Sequence, residues 1–216
     1  MKIYYINLPK NLLIKIKNKL FEYADKMPLK RYKAYQELND EMAKIQNILS
    51  YLLLRKILND NNIKMYDNHF NYCKNGKPYF ENSNIKFSIS HSNNLIAVAI
   101  DDNDLGIDVE QIKKVNNNII NQVYSKEEQT IYKNKLNNEE FFCKTWTIKE
   151  SFVKATGQGM NINFNLLTFN LASDLNQIDN YFINTLKINN SFLSICGKKR
   201  KYQIDEIIIE QLLDLI

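Results

Sequence analysis

Three carboxylates in apolar surroundings are the residues of this sequence best suited to chemistry. Asp108 and Glu110 alternate along LGIDVEQI, so both side chains point to one face of a predicted strand. Glu150 follows in FCKTWTIKESFVKATGQG, a segment rich in Phe, Ile and Val. Neighbouring carboxylates repel each other unless a cation lies between them, and Mg²⁺ prefers a few oxygen ligands of this kind. An Asp-x-Glu pair alone is more typical of a solvent-exposed edge strand, but the third carboxylate favours a metal site.

Two further groups of polar residues suit the binding of phosphate. Lys154 lies four residues after Glu150, on the same face of the predicted helix. Such a pair alone is usually a surface salt bridge worth about 0.3 kcal/mol, but beside a metal site the ammonium would bind phosphate. Ser90, His91 and Ser92 place three hydrogen-bonding side chains at a predicted turn, as a phosphate site would. A single histidine is more often a structural residue, and that alternative stays open.

The surrounding sequence predicts the strands and helices that hold these residues. MKIYYINL predicts a strand. The apolar spacing over residues 11–21 predicts a helix, and the broad apolar stripe after Asp40 predicts a longer one. Strand-like runs flank HSNN and predict a hairpin with a buried second arm, which would make the next strand, LGIDVEQI, a central one. The helix of TWTIKES ends at Gly157, a typical C-terminal cap, and strands with a turn at Asn189-Asn190 follow. This mixture indicates an α+β fold.

The composition is that of a folded protein with a mild positive charge. Its 216 residues are 44% hydrophobic and carry a net charge of +5, which excludes a disordered chain. The three cysteines are far apart without metal-type spacing and predict reduced thiols. The N-terminus does not resemble a signal peptide, and no apolar run approaches the roughly 20 residues of a membrane span. We therefore expect a cytoplasmic protein that does not bind membranes.

Two other classes of protein fit parts of this pattern. The charge of +5 and the 13 tyrosines would suit a nucleic-acid-binding module, but the aromatic residues are scattered rather than interleaved with basic ones. A Mg²⁺-dependent nuclease of the Asp…Glu-x-Lys type needs a lysine where this sequence has Ile112. Neither class accounts for SHS, GIDVE and WTIKES together.

Four motifs in a fixed order resemble one enzyme family. GKP, FSISHS, GIDVE and WTIKESFVKATGQG, spread over residues 76–159, look like the signature of the surfactin-type 4′-phosphopantetheinyl transferases. The resemblance implies that a serine of an apo acyl or peptidyl carrier protein attacks the β-phosphate of coenzyme A. The serine receives the phosphopantetheine arm and 3′,5′-ADP leaves. An inactive relative is the alternative within the family, although all three carboxylates and Lys154 are intact.

The resemblance also implies an architecture of two pseudo-symmetric α/β subdomains in a monomer. Residues 1–103 would form the N-terminal subdomain, which binds coenzyme A. Residues 104–216 would form the C-terminal subdomain, with the metal site and the carrier-protein contact. Coenzyme A would lie in the cleft between the two subdomains.

The family's functional residues carry over to matching positions of this sequence. Asp108, Glu110 and Glu150 would bind Mg²⁺, or alternatively Mn²⁺, which neutralises the pyrophosphate. Glu150 would also be the base for the incoming serine, and Lys154 would hold a phosphate oxygen, so that Asp108, Glu150 and Lys154 are the implied catalytic residues. The remaining coenzyme A contacts would be Lys30 and Lys33 at the 3′-phosphate, Lys77 and Pro78 at the adenine, and His91 at a phosphate with Ser90 nearby.

Other positions depart from the family pattern or have an expected structural role. Gln46 or Asn47 stands where the family has a phosphate contact, so the contacts to the 3′-phosphate stay open. Glu128 is expected to be structural, and Trp146 and Lys149 are expected to orient their helix.

Two basic segments are candidates for partner contact. Residues 113–138 would face the carrier protein, which is acidic in this family, although a solvated helix and loop fits this segment equally well. KKRK at 198–201 is expected to cap a strand turn in solvent, with steering of acidic partners as the alternative. The lysines of the first segment are Lys113, Lys114, Lys126, Lys133 and Lys135.

Overall fold

The computed structural model describes residues 1–64, 69–116, 119–133, 138–159 and 162–216, which divide into two units. The first unit comprises Met1–Asp102 together with Tyr202–Ile216, and the second unit comprises Asn103–Lys201. The predicted division was after residue 103, and the first segment of the first unit ends at Asp102. The expectation that residues 104–216 stay together was wrong, because the last strand of the chain pairs with the first one.

Helices and strands are mixed along the chain, and the fold is α+β. The strands are β1 (Lys2–Asn7), β2 (Phe70–Tyr72), β3 (Pro78–Phe80), β4 (Lys86–Ser92), β5 (Leu95–Asp101), β6 (Leu105–Gln111), β7 (Leu175–Ile178), β8 (Tyr181–Ile188), β9 (Ser191–Gly197) and β10 (Gln203–Glu206). The helices are α1 (Lys10–Tyr23), α2 (Leu29–Gln36), α3 (Glu41–Asp60), α4 (Ile120–Val123), α5 (Lys126–Lys133), α6 (Asn138–Thr156) and α7 (Ile209–Leu213). None of the helices in the described ranges is long and apolar enough to cross a bilayer.

A four-stranded sheet in the order β10-β1-β5-β4 forms the base of the first unit. β1 is antiparallel to β5 and parallel to β10, while β4 and β5 form the predicted hairpin with Ser92 opposite Leu95. α3 packs on this sheet, and Asp40 caps the helix by accepting a hydrogen bond from the Ala43 N–H at 2.7 Å. Every residue of β5 is buried, as its apolar sequence predicted.

An antiparallel sheet in the order β6-β9-β8-β7 forms the base of the second unit. α6 packs across β6, β9 and β8, and Ile148 and Phe152 of the helix meet Ile183 of β8 in the core. Gly157 ends α6 with a φ of +70°, and its N–H donates to the Val153 carbonyl at 3.0 Å. This geometry confirms the predicted C-terminal cap.

The two units repeat one topology. Each has a first strand, a long helix and then a hairpin, as β1-α3-β4-β5 in the first unit and β6-α6-β8-β9 in the second. In each unit the first strand pairs antiparallel with the last strand of the hairpin. The pseudo-symmetric halves expected from the family resemblance are therefore present in the fold.

Candidate active site

Gly106 allows β6 and α6 to approach each other closely. A Cβ atom at this position would lie 2.1 Å from the Ser151 carbonyl oxygen and 2.4 Å from the Ala155 nitrogen, both backbone atoms of α6. Gly106 shares its strand face with Asp108 and Glu110, so the face that carries both carboxylates is turned towards α6. β6 is the end strand of its sheet and not a central one as predicted; Leu105–Val109 are nevertheless buried, and α6 covers the face of Gly106 and Asp108.

Lys154 of α6 forms an ion pair with Asp108 of β6. Its Nζ donates to Asp108 Oδ1 at 2.6 Å, and Asp108 is 4% exposed whereas Lys154 is only half-buried. The pair therefore joins helix to strand, unlike the helix-surface pair with Glu150 that the spacing alone would favour. Because an ammonium has three N–H donors, Lys154 can hold Asp108 and still donate to a phosphate oxygen.

Glu150 is a buried carboxylate whose charge is poorly compensated. It is 8% exposed, and its Oε1 has no hydrogen-bond partner among the described residues. Burial, followed by the charge of Asp108, raises the pKa of Glu150 to about 7, with Glu110 acting in the same direction and Lys154 in the opposite one. The structure thus brings the three predicted carboxylates within electrostatic reach of one another, with one ammonium among them.

The donor set of these residues fits a hard divalent cation. In the described part of the chain, no group of three or more His, Cys, Asp or Glu side chains is already arranged to hold a metal ion. A cation next to Glu150 Oε1 would, however, satisfy this buried atom and offset the repulsion that raises the Glu150 pKa. Carboxylate oxygens are the ligands that Mg²⁺ takes up together with water and phosphate.

Apart from Lys154, the residues predicted to bind coenzyme A lie on α2 and on two hairpins of the first unit. Lys30 and Lys33 are exposed on α2, and Lys77 follows Gly76, whose φ is +78° in the turn between β2 and β3. Pro78 begins β3 and is half-buried. At the end of β4, His91 is exposed while Ser90 is buried, because successive strand residues point to opposite faces. Thus Lys30, Lys33 and His91 are accessible to a ligand, whereas Ser90 faces the interior.

Arg31, between the two exposed lysines, faces inwards. It is 4% exposed and donates from its guanidinium to the Asn47 carbonyl at 2.6 Å and to Ser50 Oγ at 2.5 Å. Its guanidinium also lies 5.8 Å from the ring centroids of Tyr51 and Phe70. Arg31 therefore fixes α2 against α3, and it is not part of the accessible basic surface that KRYK suggests in the sequence.

Comparison with known proteins decides the family. The family model of the 4′-phosphopantetheinyl transferase superfamily matches residues 104–204. The 4′-phosphopantetheinyl transferase gsp of Aneurinibacillus migulanus is 30% identical over 168 residues, covering 76% of this chain and 69% of the relative. The chain belongs to the 4′-phosphopantetheinyl transferase family. Two further transferases, ffp of Bacillus subtilis and Sfp of Bacillus subtilis strain 168, are each 28% identical over 178 residues, covering 81% of this chain and 78% of each relative.

A buried ion pair supports α6 of this transferase directly beside Glu150. Lys149 is 0% exposed, and its Nζ donates to Glu128 Oε2 at 2.5 Å, to the Val123 carbonyl at 2.7 Å and to the Phe164 carbonyl at 3.0 Å. Glu128 also accepts the Phe169 N–H at 3.2 Å. Burial lowers the pKa of Lys149, while Glu128 raises it. All three donors of Lys149 are used, which agrees with the structural roles predicted for both residues.

A cavity of about 290 Å³ adjoins Glu110 in the second unit. Trp146 lines it and stacks on Phe142, with ring centroids 6.0 Å apart, so this tryptophan forms a wall of a pocket as well as packing its helix. Cys143 also lines the cavity and donates from Sγ to the Glu110 carbonyl at 3.1 Å. Burial raises the pKa of Cys143 to about 12, which keeps the donor protonated. The cavity is formed by segments distant in sequence, and no local pattern indicated it.

Proposed function

We propose that this protein transfers the 4′-phosphopantetheine arm of coenzyme A to a serine of an apo acyl or peptidyl carrier protein and releases 3′,5′-ADP. The observation that carries the proposal is the cluster that the buried carboxylates Asp108 and Glu150 form with the half-buried Lys154 between β6 and α6. The family's GIDVE and WTIKESFVK motifs supply these three residues, and the cluster combines acidic groups with an ammonium that is partly open to solvent. This is the chemistry that phosphoryl transfer requires.

In the proposed reaction, the serine hydroxyl oxygen of the carrier forms a bond to the β-phosphorus of coenzyme A. The bond from this phosphorus to the oxygen that bridges the two phosphates breaks, and that oxygen leaves on 3′,5′-ADP. Glu150 accepts the proton of the serine hydroxyl as the general base. Lys154 donates to a phosphate oxygen from Nζ, while Asp108 orients Lys154 through the 2.6 Å bond.

We further propose that Mg²⁺ is the cation of this site, with Mn²⁺ as a substitute. Asp108, Glu110 and Glu150 would hold it, since their oxygens match its ligand preference. When bound, the cation supplies charge neutralisation for the pyrophosphate.

The coenzyme A contacts are proposed for the first unit and the carrier contact for the second. Lys30, Lys33 and His91 would bind phosphate groups; Lys77 and Pro78 would lie along the adenine, with Ser90 supporting the strand next to His91. Of the lysines predicted to meet an acidic carrier, Lys113, Lys114, Lys126 and Lys133 are exposed, and Lys135 lies outside the described residues. We propose that the protein acts as a cytoplasmic monomer on these two substrates, without nucleic acid or membrane.

Intact mass spectrometry of an apo carrier protein tests the proposal. Carriers of fatty-acid, polyketide and nonribosomal peptide synthesis are incubated separately with the protein, coenzyme A and Mg²⁺, with and without EDTA. A phosphopantetheine mass increase that disappears with EDTA is the expected result. A mass increase that EDTA leaves unchanged would contradict the metal assignment alone. No increase on any carrier, together with no binding of coenzyme A, would contradict the proposed function.

A further inference from the structure

The turn after His91 is contacted from outside its own hairpin. Asn93 and Asn94 link β4 to β5, and Asn93 has a φ of +51°, in the left-handed region that asparagine adopts more readily than most residues. His91, two residues earlier, is exposed on β4. Because β4 leads directly into this turn, the contacts that hold the backbone of the turn also help to set the position of His91.

Gln46 of α3 donates a hydrogen bond to the backbone of this turn. Its Nε2 donates to the Asn93 carbonyl at 2.7 Å, across 47 positions of sequence. The Leu8 N–H donates to the next carbonyl, that of Asn94, at 2.8 Å. Two consecutive carbonyls of the turn thus accept bonds from outside the hairpin, one from α3 and one from the residue that follows β1.

The surroundings of Gln46 favour this contact over one with a ligand. Gln46 is 7% exposed, so its amide can reach a ligand only with difficulty, and a buried amide without a partner would be costly. The family pattern has a phosphate contact at position 46 or 47. The side-chain amide of Gln46 is instead used by the protein itself.

We propose that Gln46 is a positioning residue, which acts on coenzyme A through the Asn93 carbonyl and the placement of His91. This inference rests on the proposed function, since it takes His91 as a contact for a phosphate of coenzyme A. Loss of the Gln46 donor would let the turn relax and would weaken the binding of coenzyme A, while the chemical step in the second unit would be unaffected.

The test compares Gln46→Met with Gln203→Met. Methionine has the length of glutamine but no N–H donor, so each variant loses one side-chain hydrogen bond. Gln203 donates a solvent-exposed hydrogen bond to Asp205 at 2.8 Å, and the control therefore loses a bond of similar length away from the turn. For Gln46→Met we expect the KM for coenzyme A to rise about tenfold with kcat within about twofold. Gln203→Met should leave both constants unchanged. Hydrogen exchange of the turn amides should become faster in Gln46→Met alone, a readout that needs no activity.

A double-mutant cycle with His91→Ala separates positioning from a direct contact. If Gln46 acts through His91, Gln46→Met should add little to the KM of His91→Ala, because the two effects share one contact. Fully additive effects, or an unchanged KM and unchanged exchange in Gln46→Met, would overturn the inference while leaving the proposed function intact. Absence of transfer by the unaltered protein would instead overturn the proposed function, and this inference with it.

Discussion

Replacing Gly106 with alanine should force β6 and α6 apart. The added Cβ would meet three backbone atoms of α6 at 2.1, 2.4 and 2.8 Å, where ordinary contacts begin at 3.4 Å. Backbone atoms in a helix cannot swing away individually, so the helix would have to retreat by roughly 1 Å. Overpacking of this kind costs about 3 kcal/mol of unfolding free energy, at the upper end of the usual range.

Gly157→Ala is the matched control for this substitution. Gly157 lies at the end of the same helix with a φ of +70°, but a Cβ there would have no neighbour within 4 Å. The expected loss of unfolding free energy is therefore only that of placing an alanine in the left-handed backbone region, about 1 kcal/mol. The two variants add the same methyl group and differ in whether it meets α6.

Urea unfolding followed by tryptophan fluorescence measures both variants. Trp146 is the sole tryptophan of the chain and lies in α6, so its fluorescence reports the unit under test. We expect Gly106→Ala to lose about 2 kcal/mol more than Gly157→Ala, and its transfer rate to fall about 100-fold, because a 1 Å displacement of the catalytic groups has that effect. Equal losses of stability in the two variants would refute the close contact between β6 and α6.

Three further variants, one of them a double substitution, test particular residues. Glu150→Gln should abolish transfer as measured by carrier mass while leaving the thermal midpoint within a few degrees, because the base is lost and the packing is not; unfolding at ordinary temperature would contradict this. Lys30→Ala combined with Lys33→Ala should chiefly raise the KM for coenzyme A in a steady-state assay, and an unchanged KM would remove both from the site. Lys149→Met should lower the unfolding free energy in urea by about 3–5 kcal/mol, because it leaves the buried Glu128 carboxylate unpaired. A loss below about 1 kcal/mol would mean that this carboxylate is not buried as described.

Local patterns in the sequence predicted the elements that carry the site. The hairpin around HSNN, the strand of Asp108 and the helix of Glu150 each follow from apolar periodicity and turn residues close in sequence. The spacing of the carboxylates also indicated a shared charged site, and their mutual effect on the Glu150 pKa agrees with it. These features depend on short stretches of chain, which is why sequence alone reveals them.

Features that depend on distant contacts could not be predicted in this way. β6 was expected in the centre of a sheet, but it lies at the end, pairs with β9 on one side, and has α6 packed over the face that carries Asp108. Arg31 lies between two exposed lysines in the sequence, yet it is buried and its hydrogen-bond partners are supplied by α3. The role of Gln46 depends on a contact 47 positions away, for which the sequence contains no periodic signal.

The parallel pairing of β10 with β1 makes the first unit discontinuous in the chain, with the whole second unit inserted into it. During synthesis, residues 103–201 leave the ribosome before the strand that completes the first sheet. The second unit, formed from one continuous segment, can therefore fold cotranslationally, whereas β1 has one edge without its partner until β10 arrives. The first sheet is therefore the last part of the fold to be completed, because β10 leaves the ribosome after every other strand of the two sheets.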